Sequence, residues 1–378
     1  MSMPRSKNGD RLTVADEPIR VLMVVNERAV DGHKVLGRRA EIFQQLLAPD
    51  FEVSLVCAPT RPTFSETRRC DLVYVIDPGR TGFPAVVRAW LARRPVVVEM
   101  GDPQASLYRN AGRKQRSIIA GGMIDAIVGR RATAVVVRGR GLAQELHLST
   151  SWTEIPDGVD VDRFVPGADG ALRDELGIPS EALVAGLVGS LRLGRHEAAT
   201  YGWDLIEALS LLREEPVWAL IVGDGDGLEA LTEHADTLGV SDRLVLPGYV
   251  PHEEIHRYVA AMDVCVSRQT NDAVGRSRTT AKLPEYVACD RYVLATAVGA
   301  AADVLPDEML LPYVGSYDPD HPSRLADRLA RLVPRQKQLR KGVGTRQIAL
   351  EHYGYPELAK SLADLLRKTV GRHERSQS

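Results

Sequence analysis

GRSRTTAKLPEYVACDRYVLAT, residues 275–296, runs from a polar loop into a short helical pattern and straight out into an apolar strand. A loop, helix and strand in that order form a crossover of a parallel sheet. The first helical turn holds Lys282, Pro284 and Glu285. Free N–H groups and positive potential at a helix start suit a diphosphate. Lys282 adds a full charge there, and Glu285 can accept hydrogen bonds from vicinal hydroxyls such as those of a ribose. A plain crossover helix with a solvated lysine is the other reading of the same residues.

The pattern repeats along the chain. Apolar β-rich runs alternate with helical stretches: RVLMVVN (20–26), EVSLVCA (52–58), DLVYVI (71–76), PVVVEM (95–100) and TAVVVR (133–138), then LVAGLVG (183–189), VWALIVG (217–223), RLVLPG (243–248), DVCVS (263–267) and RYVLAT (291–296). Continuous apolar strands belong to sheets covered by helices on both faces. The fold class is therefore α/β, with two Rossmann-like doubly wound parallel sheets facing a cleft. IPDGVDVDRFVPGADG (155–170), rich in Gly, Pro and Asp, reads as the connector. The expected organisation is an N-terminal domain over 19–160, a C-terminal domain over 161–355, and a terminal helix over 356–370 returning towards the first domain. Residues 1–18 and 371–378 are expected to be disordered.

Lys+Arg 48 against Asp+Glu 50 leaves a net charge of −2, which argues against a dedicated nucleic-acid binder. Cys57, Cys70, Cys265 and Cys289 form no C-x-x-C pair and read as reduced thiols. With no apolar run of membrane-spanning length, the expected location is the cytoplasm, including the inner membrane face. Residues 109–140 carry eight Lys/Arg against one acid, Asp125. Within them, IIAGGMIDAIVG has apolar residues four apart, so a basic amphipathic helix in peripheral membrane contact stands beside an ordinary surface helix.

Four segments in order resemble retaining GT-B glycosyltransferases of the family-4 type: IPDGVDVDRF (155–164), VGDGDGLEAL (222–231), RLVLPGYVPHEEIHRYVAAMDVCVS (243–267) and the opening stretch. The resemblance is strong over 155–300 and architectural before that. It implies a nucleotide-sugar co-substrate (UDP-, GDP- or dTDP-linked), no cofactor or metal, and retention of configuration; the expected acceptor is a small molecule or, with the basic segment 109–140 at a membrane, a lipid-linked one. Glu285 matches the second Glu of the family's Glu-x7-Glu pair, and Ser277 stands where the first would be. TTAKLPEY fits a variant pattern that makes Lys282 the candidate phosphate or sugar contact. Donor-binding candidates are Glu285, Gly189, Gly223, Asp224, Gly225, Val250, Ser277, Arg278, Thr279 and Thr280.

In VGSLRLGRHEAATYGWD (188–204), Ser190 and Tyr201 occupy the places of the family's Arg and Lys, so Arg192 or Arg195 is the candidate supplier of catalytic charge. Asp224 and Asp226 could bind a hard cation, but Gly223, Gly225 and Gly227 read better as a tight turn. His252-Glu253-Glu254-Ile255-His256 matches H-E-x-x-H, yet Pro251 puts His252 in the first helical turn and the segment lies inside the glycosyltransferase pattern. Towards the acceptor, Asp102 is a candidate to orient or deprotonate a hydroxyl, or else to cap its own turn. His33, Gly37 and Glu99 are the acceptor-binding candidates. A non-catalytic GT-B partner protein and a nucleotide-sugar 2-epimerase are the alternative functions.

Overall fold

The computed structural model describes residues 17–26, 35–48, 50–79, 82–110, 112–193, 197–278 and 280–377. His33, Arg195 and Thr279 lie outside these. Two parallel six-stranded sheets organise the chain. The first contains β1 (Ile19–Val25), β2 (Phe51–Cys57), β3 (Leu72–Ile76), β4 (Val96–Met100), β5 (Ala134–Val137) and β6 (Trp152–Glu154), in spatial order β2-β1-β3-β4-β5-β6. The second contains β7 (Leu183–Val188), β8 (Val217–Val222), β9 (Leu244–Gly248), β10 (Val264–Ser267), β11 (Tyr292–Thr296) and β12 (Leu310–Leu311), in order β12-β11-β10-β7-β8-β9. All ten apolar runs are strands, and β6 and β12 extend the sheets at their edges.

The apolar runs are unbroken because both sheet faces are covered. Val21, Met23 and Val25 of β1 join one buried cluster, while Leu22 and Val24 join the cluster on the opposite face. The first of these clusters also contains Leu358, Ala359, Leu362 and Leu366, from the helix Tyr355–Gln377. The last helix of the chain thus completes the core of the first domain. It differs from expectation at its end: residues 371–377 are helical, not a disordered tail. His373 Nε2 bonds the Arg93 carbonyl at 3.0 Å, and extending a formed helix costs far less than nucleating one.

The chain crosses between the domains twice, and the crossings touch. Val159 N–H donates to the Tyr353 carbonyl at 2.8 Å, and a Cβ on Gly158 would lie 2.6 Å from the Tyr355 ring. The connector is held as well: the Arg346 guanidinium donates to the carbonyls of Val161 and Phe164, both at 2.8 Å. Among the described residues no helix is long and apolar enough to cross a membrane.

Candidate active site

In each sheet the strand order reverses beside the first strand, so loops diverge there and leave a crevice beyond the carboxyl ends of the strands. In the second domain that crevice opens at Gly189, after β7. The loop after β8 lies backbone to backbone against it. A Cβ on Gly223, at φ +146°, would fall 1.8 Å from the Gly189 carbonyl oxygen. One on Gly225, at φ +156°, would fall 2.5 Å from that of Leu191. Only glycine fits either position. The aspartates of this turn build it: Asp224 Oδ1 accepts from Gly225 N–H and Asp226 Oδ1 from Leu193 N–H, both at 2.7 Å.

Lys282 begins the helix Lys282–Ala288 and reaches back over this junction. Its Nζ stands 3.8 Å above the centre of the Tyr201 ring, and a Cβ on Gly189 would be only 2.6 Å from Nζ. Tyr201, which the sequence resemblance aligned with a lysine, is here the aromatic seat of Lys282. Its hydroxyl donates to the Val266 carbonyl at 3.1 Å. Burial lowers the Lys282 pKa to about 8, and the charges of Arg278 and Arg268 add to the depression against the pull of Glu285. Among the described residues Lys282 has no ion-pair partner within 4 Å. A half-buried ammonium amid two other cations is a site for an anion.

Glu285, one turn on, is 8% exposed and pairs with His252, whose Nε2 lies 2.8 Å from Oε1. His252 precedes its helix, Ile255–Ala261, rather than sitting in its first turn. Its ring packs edge-on against Phe164, as does that of His256. Sequence reasoning found His252 only as half of a metal motif. Its role beside Glu285 has no local signal, because the two are 33 residues apart.

Arg268, which follows β10, was also missed. Its guanidinium bonds Asp204 at 3.1 Å and the Ala199 carbonyl at 2.8 Å, so it anchors the segment leading to Tyr201. Arg192 is exposed on that loop. Val250 packs against the edge of the second core, and the Thr280 carbonyl accepts from Leu283 N–H as the helix begins.

Two sequence expectations fail here. Ser277 is wholly buried, and its hydroxyl donates to the Ala273 carbonyl at 2.6 Å, four residues back in the same short helix. Its hydroxyl proton is used inside the helix, and its side chain is closed off from the cleft. Glu99, expected to bind acceptor, is also wholly buried. It accepts from Arg39 Nε at 3.0 Å and from the Tyr74 hydroxyl, and lies 3.7 Å from Arg138. Arg39 in turn bonds the carbonyls of Ile155 and Pro156. Glu99 therefore ties β3, β4 and the connector together. Gly37 is buried in the helix Val35–Leu47.

The acidic group that does reach the cleft is Asp102. It binds Arg278 of the other domain through Nε at 2.7 Å and a second nitrogen at 3.3 Å. Behind it, Arg138 lies on the Gly101 backbone and pairs with Asp77 at 3.1 Å and Asp157 at 3.7 Å. Burial raises the Asp77 pKa, opposed by Arg138 and reinforced by Asp102 and Glu99. Beside Arg278 the interface opens into a cavity of about 430 Å³, lined from one domain by Arg140 and Glu145 and from the other by Arg276 and Asp303. Lys282 and Glu285 are not part of its wall.

Paired Rossmann-like domains with this crevice define the GT-B fold. Over 93% of the chain the fold superposes, at a TM-score of 0.70 and 16% identity, on the whole of the crystal structure of Anabaena HepE in complex with UDP and glucose. Sucrose-phosphate synthase from Thermosynechococcus elongatus matches equally, at a TM-score of 0.70 and 17% identity over 94% of this chain and all of that one. More particularly, residues 184–334 match the family described as Glycosyl transferases group 1. In sequence, 67% of the chain is 27% identical to 60% of a 2-deoxystreptamine N-acetyl-D-glucosaminyltransferase from Streptomyces fradiae. Likewise 61% is 30% identical to 59% of a GDP-mannose-dependent alpha-(1-6)-phosphatidylinositol monomannoside mannosyltransferase from Mycolicibacterium smegmatis. The chain thus spans less than two thirds of the length of these curated relatives.

Proposed function

We propose that the protein is a glycosyltransferase that moves a sugar from a nucleoside diphosphate donor to an acceptor hydroxyl or amine, with retention of configuration. The observation that carries this is the Lys282 ammonium, held over Tyr201 at the Gly189 junction without an anionic partner among the described residues. The departing diphosphate gains negative charge as the bond from the anomeric carbon to its oxygen breaks. A cation aimed there stabilises the transition state more than the ground state. A new bond forms between the anomeric carbon and the acceptor atom, whose proton passes to the departing phosphate oxygen on the same face.

Glu285 accepts from the donor ribose and His252 orients its carboxylate. The loop Gly223–Gly225 approaches the nucleoside, and Arg278 joins Lys282 on the diphosphate once released by Asp102. The acceptor, a small molecule or a lipid-linked one, binds on the Asp102 side. Support comes from the group 1 match over 184–334 and from the UDP and UDP-glucose complexes of HepE.

The test is nucleoside diphosphate release from UDP-, GDP- and dTDP-sugars, with and without acceptor extracts. Release from one donor, abolished by Lys282→Ala and by Glu285→Ala, is the expected result. No release, with no nucleotide raising the thermal midpoint, would overturn the reading in favour of a non-catalytic partner.

A further inference from the structure

The helix Gln115–Arg131 has two unlike faces. One lies against the helix Gln104–Asn110 through the pair Gly121–Gly122. A Cβ on Gly121 already falls 3.0 Å from the Tyr108 ring, and one on Gly122 falls 3.4 Å from Ala105 Cβ. On the same face buried Asp125 accepts from Gln104 N–H at 2.8 Å. The double glycine, a weakness in an isolated helix, is here the seat of a close helix pair.

The other face is solvent-exposed and apolar in its middle. Ile119, Met123 and Ile127 follow one another at four-residue spacing, which stacks them in one stripe, and are 54%, 58% and 36% exposed. Exposed Ala120 and Ala126 widen it. Exposed Arg113, Lys114 and Arg116 stand at one end and exposed Arg130 and Arg131 at the other. The helix's one acid, Asp125, faces inward. An ordinary surface helix turns its charges out along this face. This one has an apolar centre between cationic ends.

We propose that this face docks the protein on an anionic lipid bilayer. Cations at both ends fit a helix lying in the plane of the interface, with Ile119, Met123 and Ile127 among the acyl chains and the guanidinium groups at the lipid phosphates. The helix seated behind it starts two residues after Asp102, the residue that the transfer reading puts on the acceptor side of the cleft. That placement rests on the transfer reading, but the docking does not.

The test is cosedimentation of the full chain with vesicles of phosphatidylcholine alone or mixed with phosphatidylglycerol. Binding is expected only with the anionic lipid, weakening as salt rises. Arg113→Glu/Lys114→Glu/Arg116→Glu should lower the partition coefficient by at least about fivefold per residue changed. Ile119→Ser/Met123→Ser/Ile127→Ser should abolish binding without lowering the thermal midpoint, because the side chains are exposed. Val314→Ser, which alters an exposed apolar residue of the other domain, should change nothing.

No binding to anionic vesicles, or binding indifferent to the stripe, overturns the proposal. So does a stripe-dependent change of molecular mass in solution, which would assign the face to a second copy. Donor turnover with a water-soluble acceptor should be the same in the stripe variant, so this inference and the transfer reading fail separately.

Discussion

Arg278 of the second domain grips Asp102 of the first through two hydrogen bonds, of 2.7 and 3.3 Å, across the cleft where both are candidate ligand groups. The Arg278 side chain is 44% exposed, so the pair contributes at most about 1 kcal/mol to stability. Its larger consequence is competition: a diphosphate must draw Arg278 away from Asp102. Asp102→Asn should therefore tighten nucleoside diphosphate binding several-fold, and Arg278→Ala should weaken it about tenfold, with thermal midpoints nearly unchanged. Equal dissociation constants for wild type and Asp102→Asn in titration calorimetry would show that the two residues do not compete with the ligand.

Lys282 gives the site a pH dependence. Its pKa is lowered to about 8 by burial and by the neighbouring arginines, and a bound diphosphate would raise it. The ligand prefers the protonated form, so affinity is full below pH about 8 and falls above it, by at most about tenfold per pH unit. Lys282→Met should weaken binding by about 1.5–3 kcal/mol at neutral pH and remove this slope. The readout is the dissociation constant between pH 7 and pH 9.5, and a slope surviving in the variant would assign the titration elsewhere.

Glu99 should behave as a structural residue. Glu99→Ala leaves the Arg39 guanidinium, 2% exposed, without its carboxylate. Removing one partner of a buried pair costs about 3–5 kcal/mol. Urea unfolding should show that loss, with nucleotide affinity kept in the fraction that remains folded. A fully stable variant that had lost only acceptor binding would return Glu99 to the acceptor site.

Gly223→Ala should damage donor binding through the backbone. The added methyl meets the Gly189 carbonyl at 1.8 Å, and φ +146° is strained for alanine. The strain is worth about 1–3 kcal/mol, and relieving it moves the two loops apart. The expected sign is a lower thermal midpoint together with a lost shift on adding nucleotide. An unchanged nucleotide shift would take this turn out of the donor site.

What was legible in the sequence is what depends on near neighbours. Two-sided apolar runs specify buried parallel strands, as in β1, and Gly223 and Gly225 mark the turn where two loops meet at φ values only glycine tolerates. The place of Lys282, at the start of a helix leading into a strand, was legible for the same reason. Short edge strands were not: Trp152–Glu154 has three residues, partly exposed, and no apolar run to reveal it.

Tertiary packing decided the rest, because a polar side chain's role depends on what lies opposite it. Glu99 and Asp102 are both acids and stand three residues apart. β4 turns one into a buried ionic core with Arg39 and Tyr74, while the loop carries the other to Arg278, 176 residues away. Ser277 looked like a ligand until its hydroxyl was found bonded four residues back. His252 matched half of a metal motif that the sequence already disfavoured, and only the fold set it against Glu285. Residue type limited each group to accepting, donating or carrying charge, and burial against a particular partner chose among them.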